Sequence, residues 1–135
     1  MSTADLVLID TSVWVEVLRG SGATALKGEV ESALNESRAA MTAPVWVELY
    51  RGVRGKKELE QLASLRRLCH WLAVDDETWE KTATTMRLCR EKGVAVPMSD
   101  VLIFSCAQRF GVALLEKDNH FGLIAKAVRA EPALE

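Results

Sequence analysis

The chain contains no Cys-x-x-Cys pair. Its three cysteines, Cys69, Cys89 and Cys106, lie 20 and 17 residues apart, a spacing that supports neither a zinc site nor a thioredoxin-like redox site. They read as small apolar residues at helical core positions, in a reducing, cytoplasmic setting. Charge of one sign is also scarce: 17 basic against 19 acidic residues leave a net of −2, so no global field attracts nucleic acid or a membrane, and any basic surface must be local. No apolar run approaches the roughly 18 residues needed to span a bilayer, and the first residues lack the basic and long apolar regions of a secretory signal. Repeats, low-complexity segments and linkers are absent. What remains is ordinary in bulk, with 135 residues, 49% hydrophobic and 27% charged. That length and balance suit one domain, residues 1–135, with a core large enough to need no staples.

What is present is an alternation of short apolar runs with helical patterns. Leu6-Val7-Leu8-Ile9 reads as a buried strand over 5–10. Ser12 reads as the cap of a helix over 13–19, and a second helix covers 23–37. Arg38 to Thr42 forms a short strand, and Pro44 opens the helix carrying Val45, Trp46, Leu49, Tyr50 and Val53. Leu59, Leu62, Leu65, Leu68 and Leu72 trace one helix face, with a strand over Trp71 to Val74 after it. Asp75 or Asp76 caps a helix reaching about Lys92, with Gly93 as its stop. A helix over 99–109 ends at Gly111 and leads into a strand over Val112 to Leu115. The tail after Phe121 fits a short helix or a last strand equally well. Strands alternating with helices imply an α/β fold of three layers, α/β/α, around a mainly parallel sheet. Trp14, Trp46, Tyr50, Trp71 and Trp79 fall at apolar positions and read mostly as core, with Trp14 and Trp46 able to shape a groove.

Acids recur at the ends of these elements. Asp10 closes the first strand, and nothing nearby in sequence pairs it. The carboxyl ends of strands in an open α/β sheet are where ligands bind. Asp118 follows the last strand, Asp100 opens a helix after Pro97-Met98-Ser99, and Glu48 interrupts the apolar segment Val45-Trp46-Val47. Each acid alone has a plain alternative: a cap for Asp10, a helix-dipole partner for Asp100, a turn residue for Asp118, a solvated face for Glu48. Brought together they would hold a hard divalent cation, for which carboxylate oxygens are the natural ligands.

Four segments, strand-Asp10-Thr11-Ser12-x-Trp14, Pro44-x-x-x-Glu48-Leu49-x-x-Gly52, Ser99-Asp100-x-x-Ile103 and Leu114-Leu115-x-x-Asp118-x-x-Phe121, resemble in order and spacing the PIN-domain ribonucleases, the VapC toxins in particular. The resemblance implies a PIN-like fold and a Mg2+- or Mn2+-dependent endoribonuclease, the toxin of a toxin–antitoxin pair. It implies that Asp10, Glu48, Asp100 and Asp118 are metal-binding and catalytic, with Ser12 as a polar helper. It also implies a structured RNA substrate such as tRNA or rRNA, a cognate antitoxin and a homodimer. Glu116 departs from the Thr or Ser common two residues before the last Asp and reads as a surface charge. His120 reads as a surface turn residue. Arg51, Arg54, Lys56, Lys57, Arg66 and Arg67 against Glu58 and Glu60 make a local net of +4. That patch is a phosphate-tracking rim for RNA or a solvated face, and no aromatic run accompanies it. The rival readings are a receiver-like Mg2+-binding regulatory domain, a PIN fold that only binds protein, and an Asp-x-Asp phosphatase. The first lacks an acidic pair before a central strand, and the last has Ser12 where its second acid belongs.

Overall fold

The computed structural model describes residues 5–20, 24–117 and 120–129. In chain order the elements are β1 (Val7–Ile9), α1 (Thr11–Leu18), α2 (Thr24–Asn35), β2 (Ala39–Thr42), α3 (Ala43–Arg51), α4 (Lys56–Leu68), β3 (His70–Leu72), α5 (Asp76–Glu91), α6 (Met98–Phe110), β4 (Ala113–Leu115) and α7 (His120–Arg129). The strands form one sheet in the order β3-β2-β1-β4. Every pairing is parallel: Val7 against Ala39 and Ala113, and Ala40 against His70. The chain winds outward from β1 through β2 to β3, then returns to place β4 on the other side of β1. That reversal makes a crevice at the carboxyl ends of β1 and β4, the place where open parallel sheets bind ligands.

The sheet's interior explains its short, mostly apolar strands. Leu8, Ile9, Ala39, Ala40 and Met41 are fully buried, as strands covered on both faces require. Val13, Trp14, Val45, Val101, Ile103 and Ile124 close over them from the helices. Polar groups are buried here too. Thr42 is buried at the end of β2, and its hydroxyl donates to the Leu72 carbonyl at 2.8 Å, tying β2 to β3. Cys106 Sγ donates in turn to Thr42 Oγ1 at 3.4 Å.

Helix ends follow local chemistry. Asp75 caps α5, accepting from the Thr78 amide at 2.9 Å and its hydroxyl at 2.8 Å. Gly111 ends α6 with φ +64, the left-handed conformation a helix stop requires. The tail after Phe121 is resolved as helix α7, which buries Phe121, Ile124 and Ala127 at helical spacing.

Several expectations need correction. The leucine series is not one helix face. At about 100° per residue, three-residue steps drift, so Leu59 and Leu68 lie on opposite sides of α4. Leu62 and Leu65 are buried, Leu68 is 62% exposed as the last helical residue, and Leu72 belongs to β3. The third strand begins at His70 rather than Trp71, because the chain leaves α4 at Cys69 in an extended conformation. Cys69 is thus half-buried at a helix end, while Cys89 and Cys106 are core residues. Burial raises all three thiols, Cys69 to about 11. Of the aromatic residues read as core, only Trp14 is fully buried; Trp46 is half-buried, and Tyr50, Trp71 and Trp79 are exposed. Trp71 stands on an edge strand, and Tyr50 on the outer side of α3.

Two measurements test this account. Thr42→Val keeps the side-chain volume but deprives the buried Leu72 carbonyl of its donor, and should cost about 1–3 kcal/mol in urea unfolding with an unchanged m-value. Capping by Thr78 and the nearby Arg109 guanidinium hold the Asp75 carboxyl below its usual value. Its contribution is therefore present above the ordinary Asp range, about pH 3.9, and is lost as the pH falls through the lower folded value. Asp75→Asn, which keeps a capping oxygen, should show a shallower fall in melting temperature than wild type on acidification below that range.

Candidate metal and nuclease site

Asp10 follows the last residue of β1 and caps α1. It is 4% exposed, and its Oδ2 accepts from the Ser12 amide at 3.1 Å and the Ser12 hydroxyl at 2.5 Å. Two expectations change here. The cap of α1 is Asp10 rather than Ser12, and α1 starts at Thr11. Asp10 does have a nearby partner, because a residue two positions on in a helix's first turn can return both its amide and its hydroxyl to the capping carboxylate. A buried carboxylate is costly unless satisfied; Ser12 and the positive end of α1 supply that compensation. Ser12, expected as a polar helper, touches the Asp10 carboxylate directly.

The backbone locks this carboxylate to β4. The Asp10 amide donates to the Leu115 carbonyl at 2.9 Å, and Glu16 on α1 pairs with Lys117 at 2.9 Å. Asp118 follows Lys117 in sequence and lies outside the described residues. On the far side of that gap His120 opens α7, and its Nδ1 contacts Asp100 Oδ2. Five residue steps, at most about 18 Å when extended, therefore separate the residue bonded to Asp10 from the residue bonded to Asp100. His120 is consequently no isolated turn residue: it is half-buried and directs its ring at an acid of the candidate site. The sequence offered no spacing signal for that pairing, because the two residues come from different helices.

Asp100 sits in the first turn of α6, with its side chain 15% exposed. Glu48 is exposed on α3, and its Oε1 accepts from the Thr11 hydroxyl at 2.8 Å. Glu48 thus lies on a solvent-accessible face, yet that face borders the residue next to Asp10. Thr11 was not singled out in the sequence; its adjacency to Asp10 was the available signal. Glu116, read as a surface charge, is half-buried and lines an open cavity of about 510 Å3 with Phe104, Leu115 and Phe121. The position follows from its place directly after β4.

Oxygen donors from Asp10, Glu48 and Asp100, supported by Ser12 and Thr11, fit a hard divalent cation in kind. Each carboxylate is held by a hydroxyl, amide or imidazole donor, as ligating acids commonly are. Among the described residues no three His, Cys, Asp or Glu side chains close into a finished metal cluster, and Asp118 is not among them.

A second groove, of about 600 Å3, runs between α1, α3 and α4. Val15, Leu18, Leu49 and Val53 give it an apolar floor, and Glu48 and Arg54 stand in its wall. Trp14, expected to shape a groove, is buried beneath the surface and takes no part in this one. Arg51, Arg54, Lys56 and Lys57 are all exposed around the α3–α4 connection, where the Arg54 amide donates to Glu58 at 3.2 Å. No helix among the described residues is long and apolar enough to cross a membrane.

The comparisons with known proteins agree with this geometry. The family model for the PIN domain matches residues 7–127. Ribonuclease VapC11 of Mycobacterium tuberculosis is 33% identical over 132 residues, covering 95% of this chain and 98% of the relative. Two solved structures share the fold. FitAcB from Neisseria gonorrhoeae has a TM-score of 0.75 at 20% identity over 90% of this chain and 94% of its own. VapBC-1 from nontypeable Haemophilus influenzae has 0.71 at 12% identity over 90% and 93%. A match spanning β1 to α7 leaves no place for the receiver-like and phosphatase alternatives. The strand-end acids, the reversed sheet and the sequence match converge on one assignment: this chain belongs to the PIN-domain family, alongside the VapC ribonucleases.

Proposed function

We propose that this protein is a divalent-metal-dependent endoribonuclease and the toxin of a toxin–antitoxin pair. The observation that carries the reading is Asp10, a buried carboxylate held by Ser12 at the mouth of the β1–β4 crevice, with Glu48 reached through Thr11 on one side. Asp100, joined to His120, stands beyond the end of β4. The sequence resemblance adds Asp118 as the fourth acid.

Hydrolysis of a phosphodiester requires an activated water and compensation for negative charge on the departing oxygen. Mg2+ or Mn2+, when bound, supplies both. Asp10, Asp100 and Asp118 are the residues to hold the cation, and Ser12 fixes the orientation of the Asp10 carboxylate. Glu48, exposed and accepting from the Thr11 hydroxyl through Oε1, is suited to orient the attacking water. His120 holds Asp100 in register. The proposed products carry a 5′ phosphate and a 3′ hydroxyl, and structured RNA such as tRNA or rRNA is the proposed substrate. Arg51, Arg54, Lys56 and Lys57 form the rim that would receive its phosphates.

The apolar groove between α1, α3 and α4 is the proposed seat of a cognate antitoxin segment, because it passes Glu48 and would obstruct the site when filled. A homodimer and a cytoplasmic location complete the proposal.

Three outcomes test the reading. Purified protein incubated with total RNA and Mn2+ or Mg2+ should yield fragments with 5′ phosphates, and Asp10→Asn or Asp100→Asn should lower the rate by at least about 100-fold, beyond the loss typical of an outer-shell partner. Divalent ions should raise the melting temperature of the wild type by linkage; the same mutants should lose that rise, and mutants responding like wild type would refute the site. Lys56→Glu with Lys57→Glu should weaken RNA binding and reduce its salt slope by about 1.4 if both contact single-stranded phosphates. An unchanged slope would remove the rim from the proposal.

A further inference from the structure

Four side chains that the sequence scatters over three elements meet in a row on the surface. Trp46 and Tyr50 stand one turn apart on α3, with ring centroids 5.7 Å apart and planes inclined by 48°. The Arg66 guanidinium of α4 lies 4.5 Å from the Trp46 ring centroid and 4.2 Å from that of Trp71 on β3. The order is therefore Tyr50, Trp46, Arg66, Trp71. Its two ends are open to solvent, Tyr50 at 51% and Trp71 at 41% exposure.

This arrangement has no evident need in the core. Large aromatic residues are ordinarily buried, and here a guanidinium between two indoles fixes both rings while the ends of the row, Tyr50 and Trp71, stay exposed. Rings held in this way lose little freedom when a ligand stacks on them. Flat π-surfaces interleaved with Arg suit unpaired nucleobases, with the cation serving both stacking and the adjacent phosphate.

Charge favours the same ligand. Trp46 and Tyr50 share one face of α3, and Glu48, two residues from each, projects from the other side of that helix. Trp71 is next to the last residue of β3, at the edge of the sheet where β1 delivers Asp10. Two strand spacings, about 10 Å, separate β3 from β1. Arg51 adjoins Tyr50, Arg67 adjoins Arg66, and the exposed Arg54, Lys56 and Lys57 continue the cationic surface along the α3–α4 connection.

We propose that the Tyr50–Trp46–Arg66–Trp71 row is a base-stacking subsite that binds an unpaired nucleotide of the RNA substrate on the side of α3 away from Glu48. The proposal rests on the ribonuclease reading, and deepens it by requiring a single-stranded segment in the substrate, apart from the scissile bond.

The test measures binding of a fluorescein-labelled, unstructured oligouridylate by anisotropy, with the full chain in EDTA so that no cleavage intervenes. Trp71→Ala, an exposed edge-strand position, should weaken binding roughly ten-fold, and Trp71→Phe should recover most of it. The same oligomer carrying abasic sites should bind wild type weakly and show little further loss with Trp71→Ala. Far-ultraviolet circular dichroism and thermal melting verify that the variants fold. Equal affinity of Trp71→Ala and wild type would overturn the subsite. So would a change in sedimentation of Trp71→Ala with RNA affinity intact, which would assign the face to a protein contact. The two proposals fail separately. Wild type that binds through Trp71 yet never cleaves with Mg2+ or Mn2+ leaves the subsite and removes the nuclease. Wild type that cleaves, with Trp71→Ala matching it in affinity and KM, removes the subsite alone.

Discussion

The parallel pairing of β1 with β4 is the constraint on which the rest of the molecule depends. Three strands wind one way from β1, and the fourth pairs on its other flank. Without that reversal the carboxyl end of β1 would face a continuous wall of crossover helices. With it, the ends of two neighbouring strands open into a crevice, and residues 10 and 115 are joined by a backbone hydrogen bond at 2.9 Å. Everything placed at the site is placed relative to this junction: α1 leaves from it, Glu16 and Lys117 fasten it, and α7 starts a few residues beyond it.

The polar groups at the junction serve the fold and, in the proposed function, the chemistry. Asp10 stabilises α1 as its cap and, by the same geometry, presents an oriented carboxylate at the strand end. Ser12 satisfies that carboxylate inside a region where an unpartnered charge would be expensive. Thr11 reaches sideways to Glu48, so the first turn of one helix organises acids from two elements. Such dual use follows from economy of position: the end of a buried strand is both the place where a helix must be capped and the place where a ligand can reach the sheet.

Much of this was legible in the residues. Apolar runs marked the strands, Gly111 and Asp75 marked helix ends, and the acids at element boundaries pointed to a common edge. Alternation of strand and helix was enough to predict a parallel sheet. Boundaries were less legible, as the leucine series shows: Leu62 and Leu65 are core and Leu68 is not, because a three-residue repeat drifts around a helix with 3.6 residues per turn. Aromatic residues misled for a related reason. Trp71 is apolar by composition, but its burial depends on whether its strand is central or at the edge, and β3 is at the edge.

What the sequence determined by itself is the set of elements and the chemical kinds at their ends, since helix capping, turn geometry and apolar periodicity are set by residues within a few positions of one another. The tertiary structure decided which ends meet. The contacts of Glu48 with Thr11, of Asp100 with His120, and of Arg66 with two indoles all join residues far apart in the chain or on separate elements. Such meetings depend on strand order and helix packing, which arise from the fit of whole elements and leave no local spacing to read.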